Sequence, residues 1–144
     1  MSGGGSWLVW ALLSAAFAGL TAIFAKIGLQ DVDSDLATLI RTAVVLVALT
    51  VFVLYSGKWS DPSRLSSRTW LFLGLSGLAT GASWLFYFRA LQVGDASLVA
   101  PVDKLSVVLV AIFAVVFLGE RPSLRDWTGI AMVAGGVLML AVKR

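Results

Sequence analysis

The sequence predicts an all-α membrane protein with five transmembrane helices. Three observations carry this prediction. Of 144 residues, 59% are apolar and 13% charged, against about 45–50% and about 25% in soluble domains. Mean hydropathy is +0.94. Five apolar runs, at 7–29, 36–55, 69–91, 96–118 and 124–142, reach the roughly 20 residues that cross a bilayer.

Each run is set off by helix punctuation. Residues 1–6 (Met-Ser-Gly-Gly-Gly-Ser) read as a flexible polar lead, and with no Lys or Arg before the first run a removable signal peptide is not expected. The acidic turn at 30–35 ends the first helix, with Ser34 the expected N-cap of the second. The longest loop, 56–68, is polar and basic and contains Pro62. A Val93-Gly94-Asp95 turn follows the third helix, with Asp95 placed to cap the fourth. Gly119 and Pro122 stop the fourth helix, and Ser123 with Asp126 has capping-box spacing for the fifth. Trp7, Trp10, Trp59, Trp70 and Trp127 fall near span ends, as membrane-belt residues do, whereas Trp84 lies deep in the third span. Residues 7–142 therefore form one membrane domain, with a basic tail at 143–144.

Composition also excludes chemistry. The chain has no His and no Cys, which removes the commonest general base, metal ligand and thiol nucleophile. No paired carboxylates sit inside a span, so an enzyme is not expected, nor is a cofactor or metal. The net charge of +3 reflects loop bias and not nucleic-acid binding.

An odd number of spans puts the chain ends on opposite faces. Face A carries Lys58, Arg64, Arg68, Arg121 and nearby Arg125, so the positive-inside rule makes it cytoplasmic. Lys26, Arg41, Arg89, Asp103 and Lys104 lie within the spans but toward face B, roughly 3–12 Å below it, and the cations partly cancel that bias. Intramembrane charges are costly and are candidates for function. For Lys26, Arg41 and Arg89 the alternative is snorkelling to the interface. Asp103 is too short for that and needs a partner, a donor or water; the candidate partners are its neighbour Lys104, or Arg41 or Arg89 from another helix. From Leu105 to Leu118 only about 21 Å of helix remains, too little for a core of about 30 Å. The segment with Pro101 and Asp103 must therefore enter the bilayer, with Pro101 bending the helix.

Small and hydroxyl residues form stripes. Ser76, Thr80, Ser83 and Tyr87 share one face of the third helix, bordered by Trp84. Ser14 starts a similar stripe on the first. Asp103 and Ser106 lie on neighbouring parts of one face of the fourth. Together these residues form a candidate solute lining. Gly77 and Gly81, and Gly129, Ala131 and Gly135, have the spacing of close helix packing or dimer contacts.

The stretches FAKIGLQDVDSDLATLIRT, FYFRALQVGDASLVAPVDKLSVVL and LGERPSLRDWTGIAMVAGGVLML resemble, in order, the five-helix EamA-type repeat of the drug/metabolite transporter superfamily. The resemblance covers 7–142. It implies a secondary transporter of small metabolites in the inner membrane of a prokaryote, working by alternating access. Most members carry two such repeats in opposite orientations, with substrate near the midplane between them. A single repeat implies half of that architecture, completed by an antiparallel homodimer of a dual-topology chain. A parallel dimer, a fixed-orientation heterodimer, a non-transporting membrane scaffold and a passive channel are the alternatives. The embedded layer has four cations and one carboxylate per chain, which points to an anionic or zwitterionic solute. The chain departs from the small multidrug resistance relatives, which use an acidic residue in helix one where this chain has only Lys26.

Overall fold

A computed structural model describes residues 6–142. The order is α1 (Ser6–Gly28), α2 (Ser34–Tyr55), a 3₁₀ turn (Pro62–Arg64), α3 (Ser67–Val93), α4 (Ala96–Asp103), α5 (Ser106–Leu118) and α6 (Leu124–Ala141). α4 and α5 together make one span, giving 5 membrane-length helical segments. Helix α1 begins at Ser6, so the expected lead is one residue shorter; the rest of it and the basic tail lie outside the described residues.

Helix α2 starts two residues earlier than the apolar pattern alone indicates. Its N-cap is Asp33, not Ser34: Asp33 Oδ1 accepts from the N–H groups of Asp35 (2.9 Å) and Leu36 (3.2 Å). A carboxylate both accepts from the orphan donors and complements the positive helix end. Ser34 is buried instead, and its carbonyl takes a 2.8 Å bond from the Thr38 hydroxyl. In the long loop, Asp61 Oδ1 accepts from the Ser63 N–H at 2.9 Å, and this holds its carboxyl below the usual carboxylate range. The Trp70 indole N–H donates to Pro62 O at 3.2 Å, which ties a belt tryptophan to the loop.

The described chain forms two units, meeting in sequence between Val93 and Gly94. In the first, α3 packs against both α1 and α2. Its buried residues are Ala22, Leu29, Ser34, Thr38, Phe88 and Leu91, all at the end where α1 finishes, α2 begins and α3 finishes. The first unit is therefore tied together at face B. This is why Gly77 and Gly81 do not serve close packing within it: a Cβ added at either meets nothing within 4 Å. In the second unit, α6 packs against α4 and α5, burying Ala111 and Val137. Gly129 and Gly135 are equally open, and Ala131 is exposed.

The fourth span is interrupted. Ser97 O lacks its usual helical donor because the residue four on is Pro101. The irregularity itself comes one turn later, at Lys104 and Leu105. There the ladder tightens to i→i+3 bonds: Lys104 N to Pro101 O (2.9 Å), Leu105 N to Val102 O, Val107 N to Lys104 O and Val108 N to Leu105 O (each 3.0 Å). Short 3₁₀ stretches inside a long helix often mark a hinge or a functional site. Asp95 is the N-cap by position but makes no side-chain cap bond.

Helix α5 ends on Gly119, left-handed at φ 68°, with the Glu120 N–H returning to Ala114 O at 3.1 Å. A Cβ at Gly119 meets nothing within 4 Å, so only backbone strain opposes a side chain. Gly119→Ala is expected to destabilise the purified protein by about 1–2 kcal/mol. Unfolding measured in a mild detergent checks this; an unchanged midpoint contradicts the left-handed cap. The capping box of α6 is present, with Ser123 N donating to Asp126 Oδ2 (2.8 Å) and Asp126 N to Ser123 Oγ (3.3 Å).

Candidate functional site

The embedded cations are Lys26, Arg41 and Arg89 in the first unit and Lys104 in the second. In the first unit, Arg89 reaches from α3 to the first turn of α2. Its Nε donates to Asp35 Oδ1 at 2.9 Å and its Nη2 to Asp35 Oδ2 at 2.6 Å. Two parallel bonds from one guanidinium fix both distance and orientation. Lys26, near the end of α1, donates from Nζ to Leu91 O at 2.6 Å, tying α1 to α3. Gln92 Nε2 donates to Val32 O at 3.0 Å, holding the first turn to α3. Both cations, counted as candidate snorkelling residues, are thus engaged in joining helices.

Arg41 is placed differently. Its guanidinium carbon lies 4.0 Å from the Trp84 ring centroid and 5.4 Å from that of Phe88. Both are within the roughly 6 Å at which a cation is held by an aromatic face. Phe88 is buried and also meets Tyr87, with ring centroids 6.5 Å apart. The embedded tryptophan that did not fit the belt pattern is therefore the platform for an embedded arginine. A cleft of about 480 Å³ adjoins Arg41 and Phe88 and runs between α1 and α2.

In the second unit, Asp103 is half-buried and pairs with its sequence neighbour, Nζ of Lys104 to Oδ2 at 3.1 Å. Neighbouring helical residues point about 100° apart, but α4 ends here and the long lysine stem spans that angle. The partners weighed from another helix, Arg41 and Arg89, are engaged within the first unit. Further along α5, Phe113 and Phe117 meet at 5.9 Å.

The rest of the expected lining is distributed as follows. Ser83, Trp84 and Tyr87 belong to the first unit, Asp103 and Ser106 to the second. Ser14, Ser76, Ser83, Thr80 and Ser106 are exposed, and the Thr80 hydroxyl donates to Ser76 O at 2.8 Å, so this part of the stripe satisfies its own backbone. Asp35 was not anticipated as part of the layer. With α2 starting at Ser34 it lies within a membrane-length helical segment, as Asp103 does. The signal was Asp33 two residues earlier, a cap that extends the helix over Asp35.

The EamA-like transporter family matches residues 5–142. The chain belongs to that family. This EamA chain is similar to the "Uncharacterized transporter in cobO 3'region" of Sinorhizobium sp, 62% identical over 137 residues, covering 95% of this chain and 97% of the relative. It is 27% identical over 141 residues to the "Uncharacterized transporter YxxF" of Bacillus subtilis (strain 168), covering 97% of this chain but 44% of that protein. The "Probable 4-amino-4-deoxy-L-arabinose-phosphoundecaprenol flippase subunit ArnE" of Yersinia pestis (strain Pestoides F) is 31% identical over 84 residues, 58% of this chain and 74% of the relative. No solved structure matches. With its five membrane-length helical segments, this EamA protein is an integral multi-pass membrane transporter.

Proposed function

We propose that this EamA protein is a secondary carrier of small metabolites that works by alternating access as an antiparallel homodimer in the inner membrane of a prokaryote. The observation that carries this reading is the interrupted fourth span. Its ladder is irregular at Lys104–Leu105, about 12 Å along the span, beside the half-buried Asp103. Irregular backbone and charge at that depth persist only against protein or a wet cavity, and broken helices of this kind build solute sites in carriers assembled from inverted repeats. In this reading Asp103, Ser106, Ser83, Trp84, Tyr87, Ser76, Thr80 and Ser14 contribute to the solute lining. Lys26, Arg41, Arg89 and Lys104 form the charged layer, Pro101 sets the bend, and Gly77, Gly81, Gly129, Ala131 and Gly135 face the partner. The near-complete alignment with this chain that fills 44% of YxxF supports a half-size unit.

The test is orientation. A C-terminal reporter active only in the cytoplasm and one active only outside it should both give signal, from the same chain at comparable levels. Signal from one side alone overturns the dual-topology homodimer. The relative named as a flippase subunit favours a second reading, a fixed-orientation chain paired with a different subunit. One-sided reporters together with a second membrane protein that co-purifies in equal amount would support that reading.

A further inference from the structure

Among the embedded cations of the first unit, Arg41 is the one that joins no helices by a hydrogen bond. Arg89 is held by two bonds to Asp35, and Lys26 donates to a backbone carbonyl. Among the described residues, the contacts of the Arg41 guanidinium are the faces of Trp84 and Phe88. Aromatic faces attract the charge, but they leave a guanidinium's five N–H donors without conventional acceptors.

The two rings fix this placement. The Asp35–Arg89 pair marks one level of the bundle. Arg41 is about 9 Å further along α2, and Trp84 is about 7.5 Å back along α3. The two therefore meet in one deeper layer. The guanidinium is held between the Trp84 ring at 4.0 Å and the Phe88 ring at 5.4 Å. Deep arginines are costly and mark ion or substrate pathways.

The space beside it is suited to a particular shape. The cleft of about 480 Å³ has Phe24 and Leu29 on the α1 side, Ile40 and Val44 on the α2 side, and Phe88 with Arg41 contributed at its border. That volume falls within the range of small-molecule sites, which are mostly apolar with a few placed polar groups. Here the lining is apolar and the charge is a single cation.

We propose that Arg41, held over Trp84 and Phe88, binds the head of an amphipathic organic anion, with its apolar body in the cleft between α1 and α2. The ligand class is one carboxylate or one phosphate on an aliphatic or aromatic body, and the occupant is the carried solute. This rests on the carrier reading and sharpens it: the anion-binding group is Arg41, a residue of the first unit, whereas the Asp103–Lys104 pair belongs to the second. A guanidinium also suits both oxyanions, since its fork meets two oxygens at once.

The test uses the full chain in nanodiscs of phosphatidylcholine, with octanoate as probe, by titration calorimetry against empty discs. Wild type is expected to give a saturable signal. Arg41→Gln removes the charge at lower insertion cost, so the fold is retained, and affinity should fall about 10- to 100-fold, the worth of a charged hydrogen bond. Arg41→Lys should recover part of it. Equal affinity in Arg41→Gln, or equal binding of octyltrimethylammonium, overturns the proposal. Discs with added phosphatidylglycerol separate solute from lipid. If that lipid blocks octanoate and stays bound through purification only when Arg41 is present, the occupant is bilayer lipid and the solute assignment fails. Octanoate uptake into proteoliposomes separates this inference from the carrier reading. Arg41-dependent binding without uptake by any variant supports the site and counts against the carrier, whereas uptake unaffected by Arg41→Gln counts against the site alone.

Discussion

Asp103→Asn is expected to lower gradient-driven solute flux about 10- to 100-fold while leaving the amount of folded protein in the membrane unchanged. The substitution is nearly isosteric. It removes one unit of charge from the point where the fourth span loses its regular ladder. A hydrogen bond to a charged group contributes roughly 1.5–3 kcal/mol, which sets the size of the loss if Asp103 holds solute or coupling ion. Lys104, 3.1 Å away, then keeps its charge without a counter-charge beside it. Lys104→Met is the companion variant: if the pair acts only as a structural tie, the two variants should have equal and small effects on flux. Initial uptake rates in proteoliposomes, normalised to protein recovered, decide the matter. Wild-type flux in Asp103→Asn would remove Asp103 from the mechanism and leave an Asp103-independent carrier.

The second large effect is expected on assembly of the first unit. Asp35→Asn and Arg89→Met should each lower recovered yield and thermal midpoint, and the exchange Asp35→Arg with Arg89→Asp should recover more than either single change. The two side chains are 47% and 54% exposed within the chain. In water such a pair would be worth little. At the edge of a bilayer, however, removing one partner leaves a charge facing a medium that solvates it poorly. The bidentate geometry joins positions 54 residues apart in sequence and sets the start of α2 against the end of α3. Strong non-additivity in the double-mutant cycle is the signature of direct coupling. Additive losses would show that the pair is incidental. Arg89→Lys should fall short of wild type, because an ammonium does not reproduce the fork.

Much of this architecture is legible in the sequence because a bilayer leaves few choices. A run of about 20 apolar residues has to satisfy its backbone internally, so span number and order follow from hydropathy. The capping box at Ser123 and Asp126 was readable for the same local reason: its partners are three residues apart. What was not readable depends on partners distant in sequence. Asp33 and Ser34 are both good caps, and choosing between them needs to know that Ser34 is buried. The rings that hold Arg41 lie more than forty residues away on α3. Spacing identified Gly77 and Gly81 as packing residues, but spacing does not say at which end of the bundle the helices meet; they meet at the other end, around Phe88 and Leu91. Pro101 announced a disturbed helix, and the ladder shows it released one turn further on, at Lys104 and Leu105.

The open faces at Gly77, Gly81, Gly129 and Gly135 have a practical consequence. The chain contains no native thiol. At each of these positions a β-carbon meets nothing within 4 Å, and none has the positive φ of Gly57 or Gly119. A cysteine introduced there would strain no backbone, and with these positions proposed to face the partner its maleimide labelling should be slow in the dimer and fast in a separated chain. One substitution per variant thus reads out whether the proposed partner face is covered, with no prior removal of reactive side chains.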